Sequence, residues 1–392
     1  MPTGEQFFAR AEALLPAVRA KAEDNERDRV VAPSLIAAMR DAGLFRVMVP
    51  KMFGGYEQHF ELVLRMVLAF SSCCASTGWC AAAGIAHPAL LAGFPIDAQR
   101  ELWASGPDEY VCGSYAPVGR AVPCNGGFRL SGRFAFASGC DHARWAVVGA
   151  LIAAPGKAPE APHFFLLARG DYVIEDNWFV SGLAGTGSKN LIVKDAFVPD
   201  HRRLSFADAT SGQSPGGISH GNPIYRTPFL AYIPAVLAAT AVGTAKGAFD
   251  EYLAVTRARE TRGAVAGGSA RMADFATIQL RVASAEAAID AAETILIRDV
   301  RRIAEKARNG DPITVDDRIA CRRGQAYATK LAIEAVDALN ASTGGQGLFL
   351  SNMIQRAWRD ANAVGRHISL NWDTVGTMVG QHALGLTPRG QY

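Results

Sequence analysis

The run Gly126-Gly127-Phe128-Arg129-Leu130-Ser131-Gly132-Arg133-Phe134-Ala135-Phe136-Ala137-Ser138-Gly139 is where the chain stops reading as helix. Phe128 and Leu130 flank Arg129, and Phe134 and Phe136 flank Ala135. That is the two-residue period of a strand with one covered face. Asn125-Gly126 before the run and Ser138-Gly139 after it are turn pairs. Outward from this run the same character holds over residues 108–215. Trp145 to Ile152 and Phe164 to Leu167 are short apolar runs, and Leu191-Ile192-Val193 precedes Phe197-Val198-Pro199. Short strands at this spacing predict a small antiparallel β-barrel or sandwich.

Both flanks read as helix. In residues 1–107, Phe7, Phe8, Ala11, Leu14, Leu15 and Val18 recur at helical spacing. Further helices are expected after Ala32-Pro33, over Phe60 to Phe70, over Ser76 to Leu91 and from Asp97 to Trp103. The one over Ser76 to Leu91 has almost no charge, so it should be covered on all sides. In residues 216–392 the elements are longer: Leu230 to Arg259, Arg271 to Asn309 stopping at Gly310, Thr314 to Ala341, and at least one more from Asn352 to about Leu384. Thr314 with Asp317 three residues on is a capping arrangement. Ala238, Ala239, Ala241, Gly243, Ala245 and Gly247 let the first of these helices approach a neighbour closely. Ser205 to Thr227, rich in Gly, Ser and Pro, reads as a long linker. The expected fold class is therefore α+β and multidomain: an N-terminal all-α domain (1–107), a middle β-barrel (108–215) and a C-terminal four-helix bundle (216–392).

Composition narrows the function. At 392 residues and 49% hydrophobic, the chain has enough apolar surface for a real core, and disorder is excluded. With 40 basic and 37 acidic residues, the net charge of +3 gives no case for a nucleic-acid groove. No run of about 18 uninterrupted apolar residues appears, so no membrane span is expected. The opening residues Met1-Pro2-Thr3-Gly4-Glu5 lack an apolar leader, and the expected location is cytoplasmic. The 7 cysteines form no CxxC pair and the 8 histidines no HExxH, so no metal is expected. Neither a GxGxxG after a strand nor a GxxxxGK[ST] is present.

The ordered motifs carry a resemblance. Gly126 to Gly139 resembles the GGYxLxGxKxWxSxG run of the acyl-CoA dehydrogenase superfamily. Gly182-Leu183-Ala184-Gly185-Thr186-Gly187-Ser188 followed by Asp195-Ala196-Phe197-Val198-Pro199 resembles its second barrel motif. Gly344-Gly345-Gln346-Gly347, then Arg356 and Arg359-Asp360, is similar to its C-terminal GGxG…RD pattern. Dehydrogenases of this superfamily need a carboxylate to remove the α-proton of an acyl thioester. The usual position, nine residues after the Arg of the RD pair, is Ile368 here. The alternative position, before the bundle-helix Arg259, is Ala258, with Glu260 close by. His367 stands at the site instead. A histidine there is the mark of the two-component flavin monooxygenases, such as those that hydroxylate p-hydroxyphenylacetate or a steroid-derived phenol. Phe136-Ala137-Ser138-Gly139-Cys140-Asp141-His142 is similar to their FSSGxDH run, departing at Ala137, and Thr77-Gly78-Trp79…His87 to their GWxxG…H helix.

The resemblance implies an oxygenase that takes reduced flavin (FMNH2 or FADH2) and O2, forms a C4a-hydroperoxyflavin and hydroxylates an aromatic or heteroaromatic small molecule. It implies a separate NAD(P)H-dependent flavin reductase as partner, and a homotetramer whose subunits share flavin sites. Ser138 is placed beside flavin N5, and His367 is placed to remove or polarise the substrate's ring-hydroxyl proton, with Asn371 as its orienting partner. His87 and Trp79 fall on the substrate side. Ser114, Tyr115, Phe136 and Gly139 border the flavin ring, the first two from a loop. Arg259 with Gly344, Gly345 and Gln346 reaches a flavin phosphate. The alternatives are an acyl-CoA dehydrogenase-type FAD oxidoreductase, an amine N-oxygenase on the same fold, or a non-catalytic helical scaffold.

Overall fold

The structure, a computed structural model, describes residues 2–153, 161–261 and 271–392. Its helical opening runs α1 (Gly4–Glu12), α2 (Leu15–Ala20), α3 (Ala22–Asp28), α4 (Pro33–Asp41), α5 (Phe60–Cys73), α6 (Ala75–Leu91) and α7 (Ile96–Leu102). The single helix read over Phe7 to Val18 is two, because Pro16 at the start of α2 has no N–H to continue the first. α3 was not foreseen: its sequence is almost entirely polar, so periodicity is silent. Its buried Asn25 accepts from Ala32 N–H at 2.8 Å and donates to Thr77 Oγ1 at 3.1 Å, which ties α3 to α6. α6 is buried at every one of its 17 positions.

The strands are β1 (Val111–Cys124), β2 (Gly127–Ala137), β3 (Trp145–Ile152), β4 (Pro162–Ala168), β5 (Val173–Glu175), β6 (Lys189–Pro199) and β7 (Arg203–Ser205). β1 and β2 form a hairpin in which Cys124 opposes Gly127. Asn125-Gly126 makes the turn, with Gly126 at φ +75°. The sheet order is β5-β6-β2-β1-β3-β4-β7. Two expectations are corrected here. The ladder ends at β5 and β7 with no closing pair among the described residues, so the sheet is open. It is also not wholly antiparallel, because β1 and β3 pair in parallel from Val111↔Trp145. Side-chain periodicity states which residues form strands but not which strand they pair with.

The stretch read as a linker holds two short helices, α8 (Phe206–Ser211) and α9 (Pro215–Ser219), and a 3-10 turn at Pro223–Arg226. Beyond it come α10 (Phe229–Ala258), α11 (Ala276–Asn309), α12 (Val315–Asn340), α13 (Met353–Val364) and α14 (Trp372–Ala383). α10 packs against α11, α12 and α13, forming the four-helix bundle, and also lies along α5. The small residues of α10 act as expected. A Cβ on Gly243 would sit 2.4 Å from the Leu68 carbonyl oxygen, and one on Gly247 2.0 Å from that of Ser72. By length and mean hydropathy α10 would pass for a membrane span, but its apolar window is 94% buried inside the protein. Thr314 caps α12 in a capping box with Asp317, as read.

Candidate active site

Three elements meet at one indole. Trp79, from α6, donates its Nε1–H to Ser138 Oγ at 2.8 Å. The same indole meets the His367 ring edge-on, with centroids 5.8 Å apart. Ser138 follows directly on β2, where the chain turns sharply: Phe136 has φ +66° and Gly139 φ +68°. Gly139 needs to be glycine on space as well, since a Cβ there would lie 2.2 Å from the Tyr110 hydroxyl. Phe136 stays 66% exposed, with Trp178 edge-on to it at 5.7 Å. Ser138 Oγ also lies 2.7 Å from Ser188 Oγ, and Ser188 Oγ lies 2.6 Å from Thr186 Oγ1. Thr186 donates to the Leu183 carbonyl at 2.8 Å. Leu183 N–H in turn donates to Asp360 of α13 at 2.6 Å. Burial pushes the Asp360 carboxyl up to about 6. Thr186 and Ser188 were inside the quoted Gly182–Ser188 motif but were given no role, since a hydroxyl in a Gly-rich loop looks like ordinary turn chemistry.

His367 sits in the turn between α13 and α14, not in a helix. Its Nδ1 accepts from Ser369 N–H at 3.2 Å, so the neutral ring carries its proton on Nε2 and offers a donor there. Burial and the nearby Arg322 guanidinium push the imidazole down to about 4. Arg322, 3% exposed, donates to the Ser369 carbonyl at 2.9 Å, to Gln325 Oε1 at 2.6 Å and to the Gln391 carbonyl at 3.2 Å. Asn371 does not orient the ring: its Oδ1 accepts from Thr374 N–H at 3.0 Å and caps α14. The dehydrogenase carboxylate is absent from both expected positions. Ile368 is 67% exposed, and Ala258 ends α10, with Glu260 bridged to Arg271. Among the described residues no carboxylate hydrogen-bonds Trp79, Ser138 or His367.

The other expected residues divide into two groups. His87 donates Nδ1–H to the Val111 carbonyl at 2.7 Å, which leaves its Nε2 lone pair without a partner among the described residues. Burial pushes this imidazole down to about 4 as well. Its ring meets Tyr115 at 5.7 Å, and the Tyr115 hydroxyl is buried without a partner among the described residues. Ser114 and Tyr115 are not in a loop. They lie within β1, beside a register shift, and Ser114 donates to the Ala135 carbonyl at 2.7 Å. Arg259 and the Gly344 turn come together elsewhere, at the end of the bundle. A Cβ on Gly344 would stand 2.7 Å from an Arg259 Nη, and Arg259 also donates to the Ser342 carbonyl at 3.4 Å. Gly344, Gly345 and Gln346 are exposed, so their backbone is open to a ligand. No hydrogen bond or ring contact among the described residues joins this group to Ser138.

The architecture has relatives. Residues 235–372 match the model of the acyl-CoA dehydrogenase C-terminal domain. The chain is 50% identical over 392 residues to the oxygenase component of an FADH(2)-dependent resorcinol hydroxylase from Rhizobium sp. (strain MTP-10005), covering 99% of this chain and 96% of that one. The crystal structure of 3-HSA hydroxylase from Rhodococcus sp. RHA1 superposes with a TM-score of 0.93 at 34% identity, covering 98% of each chain. XiaF from Streptomyces sp., in complex with FADH2 and glycerol, superposes at 0.89 with 26% identity, covering 99% of this chain and 97% of that one. Likeness of that extent, together with Ile368 and Ala258 at the two positions where a thioester-oxidising relative would need a carboxylate, settles the family: the chain belongs to the flavin-dependent monooxygenase oxygenase components of the acyl-CoA dehydrogenase superfamily.

Proposed function

We propose that this protein hydroxylates a small phenol of the resorcinol type, using O2 and a reduced flavin delivered by a separate NAD(P)H-dependent reductase. FADH2 is the flavin to try first, by likeness to the resorcinol enzyme. The residues fit such a group. Ser138 presents a hydroxyl between Trp79 and Ser188, Phe136 an exposed ring, and Arg259 with the Gly344 turn a cation beside open backbone amides. When bound, the reduced flavin supplies the two electrons with which one oxygen atom of O2 enters the ring and the other leaves as water.

The protein's own part is positioning and polarisation. Ser138 and Gly139 border the reactive edge of the flavin ring. Arg259, Gly344, Gly345 and Gln346 would hold a flavin phosphate, and in a homotetramer that flavin would be shared with a neighbouring subunit. His367 holds the substrate oxygen through Nε2–H. Donation to that oxygen stabilises the phenolate, the form in which the ring is the better nucleophile. His87 Nε2 and the Tyr115 hydroxyl are polar atoms with no hydrogen-bond partner among the described residues, which a polar group of the substrate would satisfy. The observation that carries this reading is the Trp79 indole, whose N–H fixes the flavin-side hydroxyl while its ring lies against the substrate-side imidazole.

The test is rapid mixing of the protein with FADH2 or FMNH2 and oxygenated buffer containing resorcinol. Hydroxylated product in proportion to flavin consumed is the expected result. Bleaching of bound oxidised flavin by an acyl-CoA, with no hydroxylation of any phenol, would overturn the reading in favour of a dehydrogenase.

A further inference from the structure

The hydroxyl chain that ends at Ser138 has a direction. Its two ends admit only one role each. The Trp79 indole N–H can only donate, and the Leu183 carbonyl can only accept. Thr186 spends its single proton on Leu183, so its oxygen must accept from Ser188 at 2.6 Å. Ser188 has then spent its proton on Thr186, so its oxygen must accept from Ser138 at 2.7 Å. Ser138 is left without a free proton. Its oxygen takes the Trp79 N–H on one lone pair and keeps the other. Thr186 and Ser188 are buried, so water does not compete for these bonds. The far end is held too, because Leu183 is pinned through its N–H to Asp360.

We infer that Ser188 and Thr186 are positioning residues that set Ser138 as a hydrogen-bond acceptor and thereby make the site select flavin protonated at N5. This rests on the reading of Ser138 as the neighbour of N5. Reduced flavin carries a proton on N5 and donates to the open lone pair. Oxidised flavin presents a bare N5 lone pair, which meets a second lone pair on Ser138 and finds no proton. A serine free to rotate would serve both forms, so the discrimination belongs to the relay and not to Ser138 alone.

The experiment measures dissociation constants of oxidised and of anaerobically reduced FAD or FMN for the full-length protein, without substrate, alongside the melting temperature of each variant. The wild type binds the reduced form more tightly. Ser188→Ala frees the Ser138 proton to turn toward N5, strengthens oxidised-flavin binding and lowers the reduced-over-oxidised preference about tenfold, the size of one hydrogen bond. Thr186→Val, which leaves the Ser188 proton without an acceptor, moves the preference the same way. Ser188→Thr keeps the hydroxyl and keeps the preference. An unchanged preference in both Ser188→Ala and Thr186→Val, while Ser138→Ala lowers it, overturns the relay and leaves Ser138 in place. Unchanged binding of both flavin forms in Ser138→Ala removes Ser138 from the flavin, and the relay's role falls with it.

Discussion

A single backbone amide decides what His367 has to offer. An imidazole at that position reads, from sequence, as a base poised near neutrality. The fold instead engages its Nδ1 with Ser369 N–H and pushes its pKa down to about 4. The ring therefore stays neutral and donates through Nε2. His367→Ala is expected to keep consuming O2 with reduced flavin while product falls by 10²-fold or more and H2O2 takes its place; unchanged coupling would remove the ring from the reaction. The product-to-O2 ratio of the wild type should also be flat through pH 6.5, and an inflection there that vanishes in His367→Ala would contradict the donor role. His87 carries a stability consequence. Its folded pKa of about 4 lies below the ordinary 6.5, so between these values the unfolded chain binds more protons. Stability is full above pH 6.5 and is lost as pH falls toward 4, by up to about 3 kcal/mol. Thermal melts between pH 7 and 4 should show a slope to which His367, pushed down alike, also contributes; His87→Asn should lessen it and leave the His367 share. The identities of Ser138, Trp79 and His367 were legible because motifs name residues. The tautomer of His367, the capping role of Asn371 and the hydroxyl contacts of Thr186 and Ser188 were not, because each depends on which group a side chain meets after folding.

Helices proved more legible than strand pairing, for a physical reason. α5, α6 and α10 announce themselves by apolar content, and the glycines of α10 announce a close neighbour. The polar α3 gives no such signal, and Pro16 divides a helix that periodicity alone would join. The open sheet and the parallel β1–β3 pair depend on partners distant in sequence, and alternation within one strand says nothing about them. Where the signal was read correctly, it can be tested. Gly247 faces the Ser72 carbonyl, which a Cβ would approach to 2.0 Å, so the backbone of α5 or α10 must shift to admit one. Gly247→Ala raises intrinsic helix propensity yet is expected to destabilise the protein by about 1–3 kcal/mol through overpacking. A melting temperature at or above that of the wild type would show that the helices can separate freely there. Gly380, in α14 with nothing near its Cβ, is the control, and its change to Ala should be neutral or stabilising.

Across the whole molecule, the His367 turn is held from the centre of the bundle and from residues near position 392 at once. Pro234 inside α10 has no N–H for the Leu230 carbonyl. Gln325 of α12 supplies the missing donor at 3.0 Å. Gln325 Oε1 accepts from Arg322, Arg322 donates to the Ser369 carbonyl, and Ser369 N–H holds His367. The Gln391 and Tyr392 carbonyls close over the same helix, the first on Arg322 and the second on Arg318. A buried guanidinium that loses an acceptor is costly, and the cheapest relief is to move toward water or another carbonyl. A chain ending at Arg389 is therefore expected to loosen Arg322 and, through Ser369, the imidazole. Ser138 and Arg259 have no bond to this assembly among the described residues, and Trp79 touches it only through the edge-on His367 ring, so the dissociation constants of reduced and oxidised flavin should stay within about twofold of the wild type. The cost should fall on the aromatic substrate instead: a KM several-fold higher and a larger share of O2 released as H2O2. Arg322→Lys, which keeps the charge but cannot span three acceptors, should show the same split in stronger form. If the shortened chain couples O2 to product as well as the wild type does, the residues near 392 take no part in holding His367.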